Sequence, residues 1–412
     1  MDLCIESTRL VAIIVYMPKD VPLAKPEAPA PLQQEPHRFA EYILPPGSAP
    51  RDATFKQMET ARANLEKDLH CSDKELPIQL ACFELRCALA GISKREVIDT
   101  YASISKLVSA EKAVMPEMKR WMIGLDLVKH LSDPTKVDQG EFGTCAYSSL
   151  ERMMYFHKPA SAAKIVADTC TSGEFALSDG KSIKLTKDDL ASEGFRSTRS
   201  AASYVLQTAL QSAGLQTSFD VSRIYSGDQS QLHYRQTQDS GGFHESVVRV
   251  SGGAETVFDA QSSERILNMS RTRDALIPMF ENLTGSKDQP VVIQGNPQRR
   301  AEPELRPSIN CETEDQLHSV LSRLKSNGQL PIMVAVHTSQ EPFWTDSGAG
   351  KAAGAGGERG GGHMVLITDY DRIKKLVAVD NSWGRKADHL GLADTAPRLA
   401  LSEMLRSLNK RL

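Results

Sequence analysis

Two apolar runs, His363–Tyr370 and Leu376–Asp380, are split by the polar segment Asp371–Lys375. Short runs rich in Val, Ile and Leu with a five-residue polar break between them satisfy their backbones best against each other, so the pattern predicts an antiparallel hairpin. Leu330–His337, just upstream, is a third run of the same kind and predicts a buried strand. Before it, Thr313 followed three residues later by Gln316 is a capping box, which predicts a helix over Gln316–Ser326 closed by Asn327 and Gly328. A last helix is expected over Leu401–Leu408. The end of the chain is therefore a β-rich unit with few helices.

The beginning is different. Leu10–Met17 is an apolar run too short to cross a bilayer as a helix. Asp2 and Glu6 precede it, so it lacks the basic flank of a secretory signal, and a strand is expected instead. Nine prolines between 18 and 50 exclude regular helix there and predict an extended arm. From 51 to 133 the pattern turns helical. Phe55, Met58, Leu65 and Leu69 recur at helical spacing, Gln79–Ala90 predicts a more buried helix stopped by Gly91, and two more helices are expected near Lys94–Val108 and Pro116–Leu131. Cys82 and Cys87 on the second of these read as packed thiols. Segments of one type followed by segments of the other give an α+β class. The expected organisation is an apolar segment and Pro-rich arm over 1–50, a helical module over 51–133, and a third domain over 134–412. Within that domain about 171–310 carries loop-rich insertions, with a helix at Tyr204–Ala213 and strands at Glu245–Val250 and Gln289–Gln294.

Bulk charge excludes some partners. With a net charge of -3 and neither sign dominating any stretch, nothing provides the basic field that nucleic acid needs. The seven cysteines are odd in number and scattered without a CxxC pair, which argues against a disulfide framework or structural zinc and for reduced thiols in a cytoplasmic setting. The same features are compatible with export by a non-classical route. No spacing calls for a metal or a cofactor.

Chemistry is concentrated in two places. Gly140 and Gly143 permit a tight loop before Cys145, and Leu150, Met153 and Met154 follow at helical spacing. Cys145 is thus expected near a helix N-terminus, where the macrodipole favours the nucleophilic thiolate. Gln139, six residues earlier, can fold back and donate to an oxyanion beside the Cys145 backbone N–H. Alone, Cys145 would read as a packing residue. His363, however, opens a strand after glycines, and the hairpin returns Asn381 or its neighbour beside it, where an Asn amide oxygen can hold the imidazole for proton exchange.

Gln139-Gly140 with Gly143 and Cys145, then Gly362-His363, then Asn381-Ser382-Trp383-Gly384, resembles the papain-like cysteine peptidases. The match covers about 137–157 and 312–390. The resemblance implies a helical lobe carrying the cysteine and an antiparallel β lobe carrying His363 and Asn381, with a cleft between them. It implies a thiol protease acting on a protein or peptide: Cys145 the nucleophile, His363 the general base and acid, Asn381 the orienter and Gln139 the oxyanion donor. Phe142 stands where the family's disulfide cysteine is found, and Ala146 where a tryptophan commonly follows the nucleophile. The element order is also similar to bacteriocin-processing peptidases of the same superfamily, which usually use aspartate as orienter; Asp380 adjoins Asn381, but Ser382–Gly384 favours the asparagine. Two other functions share these residues: a deamidase or transglutaminase-type acyl transferase, and a non-catalytic interaction protein.

The glycine-rich stretch Gly348–Gly362 lacks the spacing of a phosphate loop and is expected to be a loop abutting His363. His157 is expected at the end of the Cys145 helix, His233 and His244 without partners in the polar middle of the chain, and His337 and His389 on the surface.

Overall fold

The computed structural model describes residues 12–17, 53–69, 75–140, 142–191, 199–240, 242–285, 289–294, 308–311, 313–337, 362–381, 398–402 and 404. The Pro-rich arm, the glycine-rich stretch before Gly362, Ser382–Gly384, His389 and most of Leu401–Leu408 lie outside them. The class is α+β. Two compact units divide the chain, one of residues 27–286 and one joining residues 1–26 to 287–412.

The N-terminal apolar run forms strand β1 (Ala12–Met17) of the second unit. Four helices then open the first unit: α1 (Ala53–Asp68), α2 (Glu75–Leu89), α3 (Lys94–Ser109) and α4 (Glu117–Ser132). Ser93 caps α3 by accepting from the Glu96 N–H, and Gly91 takes a positive φ of 70° just after α2. Buried Leu76, Leu80, Phe83 and Cys87 form the inner face of α2, as its composition predicts, but its outer face is apolar too: Ile78, Leu85 and Leu89 are exposed, and so is Cys82. The packed-thiol expectation thus holds for Cys87 and not for Cys82.

Next come α5 (Cys145–His157) and α6 (Pro159–Ser172), the small hairpin of β2 (Glu174–Ala176) and β3 (Ser182–Lys184), and α7 (Ala201–Thr217). The first unit ends with a three-stranded antiparallel sheet, β4 (Leu232–Asp239), β5 (Gly242–Ser251) and β6 (Ala254–Val257), and with α8 (Ala260–Ser270) and α9 (Arg273–Thr284). Helix α7 is its axis: every residue from Ala202 to Leu215 is buried, and α4, α5, α6, α8, α9 and β4 all pack on it.

The structure corrects two expectations here. The helical stretch 51–133 is not a module separate from the Cys145 helix. The apolar face of α3 (Val97, Tyr101, Ile104, Leu107) packs along α6, and α4 packs on α7, so both share one core with that helix. Nor is the stretch expected as loop-rich insertions, about 171–310, of that kind in its described residues up to 285, which supply the central helix and the sheet of that core. Polar residues at buried positions of α7 (Gln207, Thr208, Gln211, Ser212) hide its apolar periodicity.

The second unit continues with β7 (Gln289–Gln294), β8 (Ser308–Asn310), α10 (Glu314–Ser326), β9 (Ile332–His337), β10 (Gly362–Asp371), β11 (Leu376–Asp380) and β12 (Arg398–Ala400). Its sheet runs β12-β11-β10-β9-β1-β7-β8, antiparallel except for the parallel pair β7 and β8. Strand β1 lies between β9 and β7, so the first described residues of the chain sit inside the sheet built by the last. Leu317, Val320, Leu321 and Leu324 of α10 cover Ile332, Val334, Val336, Val365, Ile367, Val377 and Val379 on one sheet face. The capping box is complete: Thr313 accepts from the Gln316 N–H, and the Gln316 side chain accepts from the Thr313 N–H. Among the described residues no helix is long and apolar enough to cross a membrane.

Candidate active site

Cys145 is the first residue of α5, half-buried and free of any disulfide. The loop before it turns on Gly140, whose φ is 65° and whose N–H donates to Asp138 Oδ1 at 2.7 Å. Gln139 is buried, and its Nε2 donates to the Phe142 carbonyl at 3.2 Å. This bond fixes the orientation of the Gln139 side-chain amide.

The next two residues are tied to distant parts of the first unit. The Gly143 N–H donates to Glu245 Oε2 at 3.0 Å, and Thr144 Oγ1 donates to Gln207 Oε1 at 2.7 Å. Thr144 occupies the N-cap of α5, yet its hydroxyl makes no capping bond to the helix. The positive end of the helix dipole at Cys145 is therefore not offset by the usual cap oxygen, which favours a thiolate there.

Beneath the loop lies a buried polar layer. Glu245 accepts from Arg271 Nη2 and from the Tyr234 hydroxyl, each at 2.5 Å; burial pushes its pKa up, but the Arg271 charge and the hydrogen bonds from Tyr234, Arg271 and the Gly143 N–H together hold it below the usual glutamate range. Glu151, two turns into α5, accepts from Ser203 Oγ and Gln207 Nε2, both at 2.8 Å. Complete burial pushes its pKa up to about 7. His130, 3.8 Å from the same carboxylate, is pushed down to about 3 by burial and then by the Arg152 charge. Arg199 stacks over the Phe142 ring at 4.9 Å and donates through Nη1 to Gln207 Oε1 at 3.0 Å.

The other two expected residues belong to the second unit. His363 is buried on β10 opposite Val336 of β9. Its Nε2 lies 2.8 Å from Asn381 Oδ1. The hairpin pairs Leu366 with Asp380, so one step further Asn381 lies across from Val365 and is the diagonal neighbour of His363 on the same sheet face. The expectation placed Asn381 or its neighbour beside His363; the register sets Asn381 two residues along, a distance the two side chains bridge. Because Oδ1 can only accept, Nε2 donates in this bond, which in the neutral imidazole leaves the lone pair on Nδ1. Asp380 points the other way in the strand alternation and is not the residue at Nε2.

The structure thus joins Gln139 to Cys145 through one loop and His363 to Asn381 through one hydrogen bond. It also brings in Glu245, Arg271, Gln207 and Arg199, which sequence reasoning missed. Glu245 carried one signal, being two residues before buried Val247 in the same strand and so in the phase of a core position. His233, expected without a partner, is buried with Nδ1 2.8 Å from Asp189 Oδ2, and Arg235 donates to the other oxygen of that carboxylate at 3.2 Å. His157 ends α5 as expected. Among the described residues no cluster of three or more His, Cys, Asp and Glu side chains is placed to hold a metal ion. No protein-family model, curated protein or solved structure matches the chain.

Proposed function

We propose that this chain is a papain-like cysteine peptidase that hydrolyses peptide bonds through a Cys145 acyl-thioenzyme. The observation that carries the reading is the 2.8 Å bond from His363 Nε2 to Asn381 Oδ1, which orients an imidazole with Nδ1 as its basic nitrogen. In this scheme His363 Nδ1 takes the Cys145 thiol proton and the thiolate attacks the substrate carbonyl. The oxyanion is held by the Cys145 N–H and the Gln139 amide. The proton passes from His363 to the departing amine, leaving a thioester, and water activated by His363 releases the acid and restores the thiol. Asn381 keeps the imidazole in one tautomer throughout, and the helix start at Cys145 supports the thiolate.

The finer fold that accompanies this scheme is the two-lobe arrangement of that family, with a protein or peptide as substrate and a cytoplasmic setting suited to free thiols. The test is labelling with a peptidyl epoxide followed by profiling on a peptide library. Labelling is expected at Cys145, with hydrolysis abolished by Cys145→Ala and lowered at least a hundredfold by His363→Ala. Hydrolysis that survives Cys145→Ala overturns the proposal, and mass change of a partner glutamine without cleavage turns it into the acyl-transfer alternative.

A further inference from the structure

We propose that Glu245, backed by Arg271, is the positioning residue of Cys145; the inference rests on the reading of Cys145 as a nucleophile. Two adjacent residues of the loop, Gly143 and Thr144, are the ends of one closed circuit of hydrogen bonds. From Gly143 it passes to Glu245 Oε2 at 3.0 Å, from Glu245 Oε1 to the Tyr234 hydroxyl at 2.5 Å, and from that hydroxyl to Gln236 Nε2 at 2.5 Å. Arg199 then bridges Gln236 Oε1 and Gln207 Oε1, and Gln207 Oε1 receives the Thr144 hydroxyl at 2.7 Å. Arg271 stands outside the circuit and fixes it, donating to Glu245 at 2.5 Å and to Gln211 Oε1 at 3.0 Å.

This arrangement specifies the residue at 143. A Cβ there would lie 2.8 Å from Glu245 Oε2 and 3.3 Å from Arg271 Nη1, so an added methyl would push the carboxylate away from the backbone N–H that it now accepts from. It also explains why Thr144 does not cap α5, since its hydroxyl belongs to the circuit. The consequence is directional. With both residues before Cys145 anchored from below, the loop cannot rotate without breaking a charge-assisted bond in a largely buried layer. The thiol is then presented at the helix start in one orientation, and misplacing a reacting atom by an ångström costs catalysis on the order of a hundredfold.

The experiment is a double-mutant cycle on the full-length protein, with Gly143→Ala, Glu245→Ala and the pair. The readout is the rate of Cys145 alkylation by iodoacetamide as a function of pH, followed by mass spectrometry, together with kcat and KM on a cleaved peptide. Each single change is expected to slow alkylation and lower kcat by roughly tenfold or more with KM little changed. The pair is expected to be no slower than Glu245→Ala alone, because the added methyl then meets no carboxylate. Glu245→Gln has one acceptor oxygen where the carboxylate has two, so it can serve Arg271 or the Gly143 N–H but not both, and it is expected to recover only part of the limiting alkylation rate. Its pH midpoint is expected to move down, because the Arg271 charge is no longer offset. Losses that multiply in the pair, or an alkylation profile unmoved by Glu245→Ala, overturn the inference. Should Glu245→Ala fail to fold, Glu245→Ala with Arg271→Met, measured with and without Gly143→Ala, decides it the same way, because no charge is stranded and the added methyl again meets no carboxylate. An intact cycle in alkylation with no peptide hydrolysis would sink the peptidase reading and leave the positioning role standing.

Discussion

The Cys145 loop and the His363 hairpin each fix a candidate catalytic side chain, by opposite means. The loop is pinned by polar atoms from far along the chain: Gln207 is 63 residues from the Thr144 it holds, and Glu245 is 102 residues from Gly143. The hairpin needs almost no polar help: His363 and Asn381 are 18 residues apart, and the strands that carry them are set by Val334, Val336, Val365, Ile367, Val377 and Val379 against α10. Polar pinning is directional and fails when one atom is lost. Apolar packing is graded by volume and tolerates small changes. The two halves of the proposed site are therefore expected to respond differently to the same kind of mutation.

The largest effect is expected at the loop. Arg271→Met leaves Glu245 as an uncompensated charge in a largely buried layer, and should destabilise the first unit by about 3–5 kcal/mol in a urea titration. Arg271→Met combined with Glu245→Leu should cost much less than the single change, because no charge is then stranded. A cost below about 1 kcal/mol for Arg271→Met would erase the contrast between the two regions.

At the hairpin, Ile367→Ala should cost about 2–5 kcal/mol and Ile367→Val only about 0.5–1.5, in keeping with a site graded by volume. Equal costs for the two would mean that packing against α10 is not what sets the strand. The hydrogen-exchange protection of the Leu366 and Ile367 amides should fall in step with stability.

This difference also decides what the sequence discloses. The hairpin, its turn at Asp371–Lys375, strand β7 and the Thr313 capping box are legible because each is written in a few consecutive residues. Asn381 is legible for the same reason, through the residues that come after it, although its diagonal placement depends on a register the sequence does not state. The anchors of the loop are not legible. Nothing near Gly143 names Glu245 as its partner, and Gln207 sits among core residues of α7 where a polar side chain reads as a break in the pattern. The middle of the chain looks loop-like because its polar residues are inside, bonded to one another, and periodicity detects only apolar ones.

Two carboxylates of the first unit give the comparison a pH axis. Glu151 is raised from an ordinary 4.5 to about 7, so the folded chain binds its proton more readily than the unfolded chain does. Its contribution is full below about 4.5 and is lost as pH rises towards 7. Glu245 is lowered, so its contribution is present above 4.5 and is lost as pH falls through its folded value. Denaturation of Glu151→Gln against the parent chain between pH 4.5 and 7 should show the parent losing stability relative to the variant as pH rises. The opposite slope would mean that Glu151 is ionised throughout, and that Gln207 and Ser203 donate to a carboxylate at all these pH values.

The smallest effect should come from the most legible feature. Thr313 caps α10 at the surface of the second unit, and its partner is the adjacent Gln316 N–H at 3.3 Å. Thr313→Ala should cost about 1 kcal/mol, and Thr313→Ser almost nothing, since a hydroxyl oxygen is all the cap requires. Neither change touches the packing of Leu317 or Leu321 on the sheet, so the bond from His363 to Asn381 should survive, and with it the rate of any His363-dependent step. A loss of activity out of proportion to this small loss of stability would show that the hairpin is not self-sufficient, and that the cap of α10 orients His363 from a distance as Glu245 is proposed to orient Cys145.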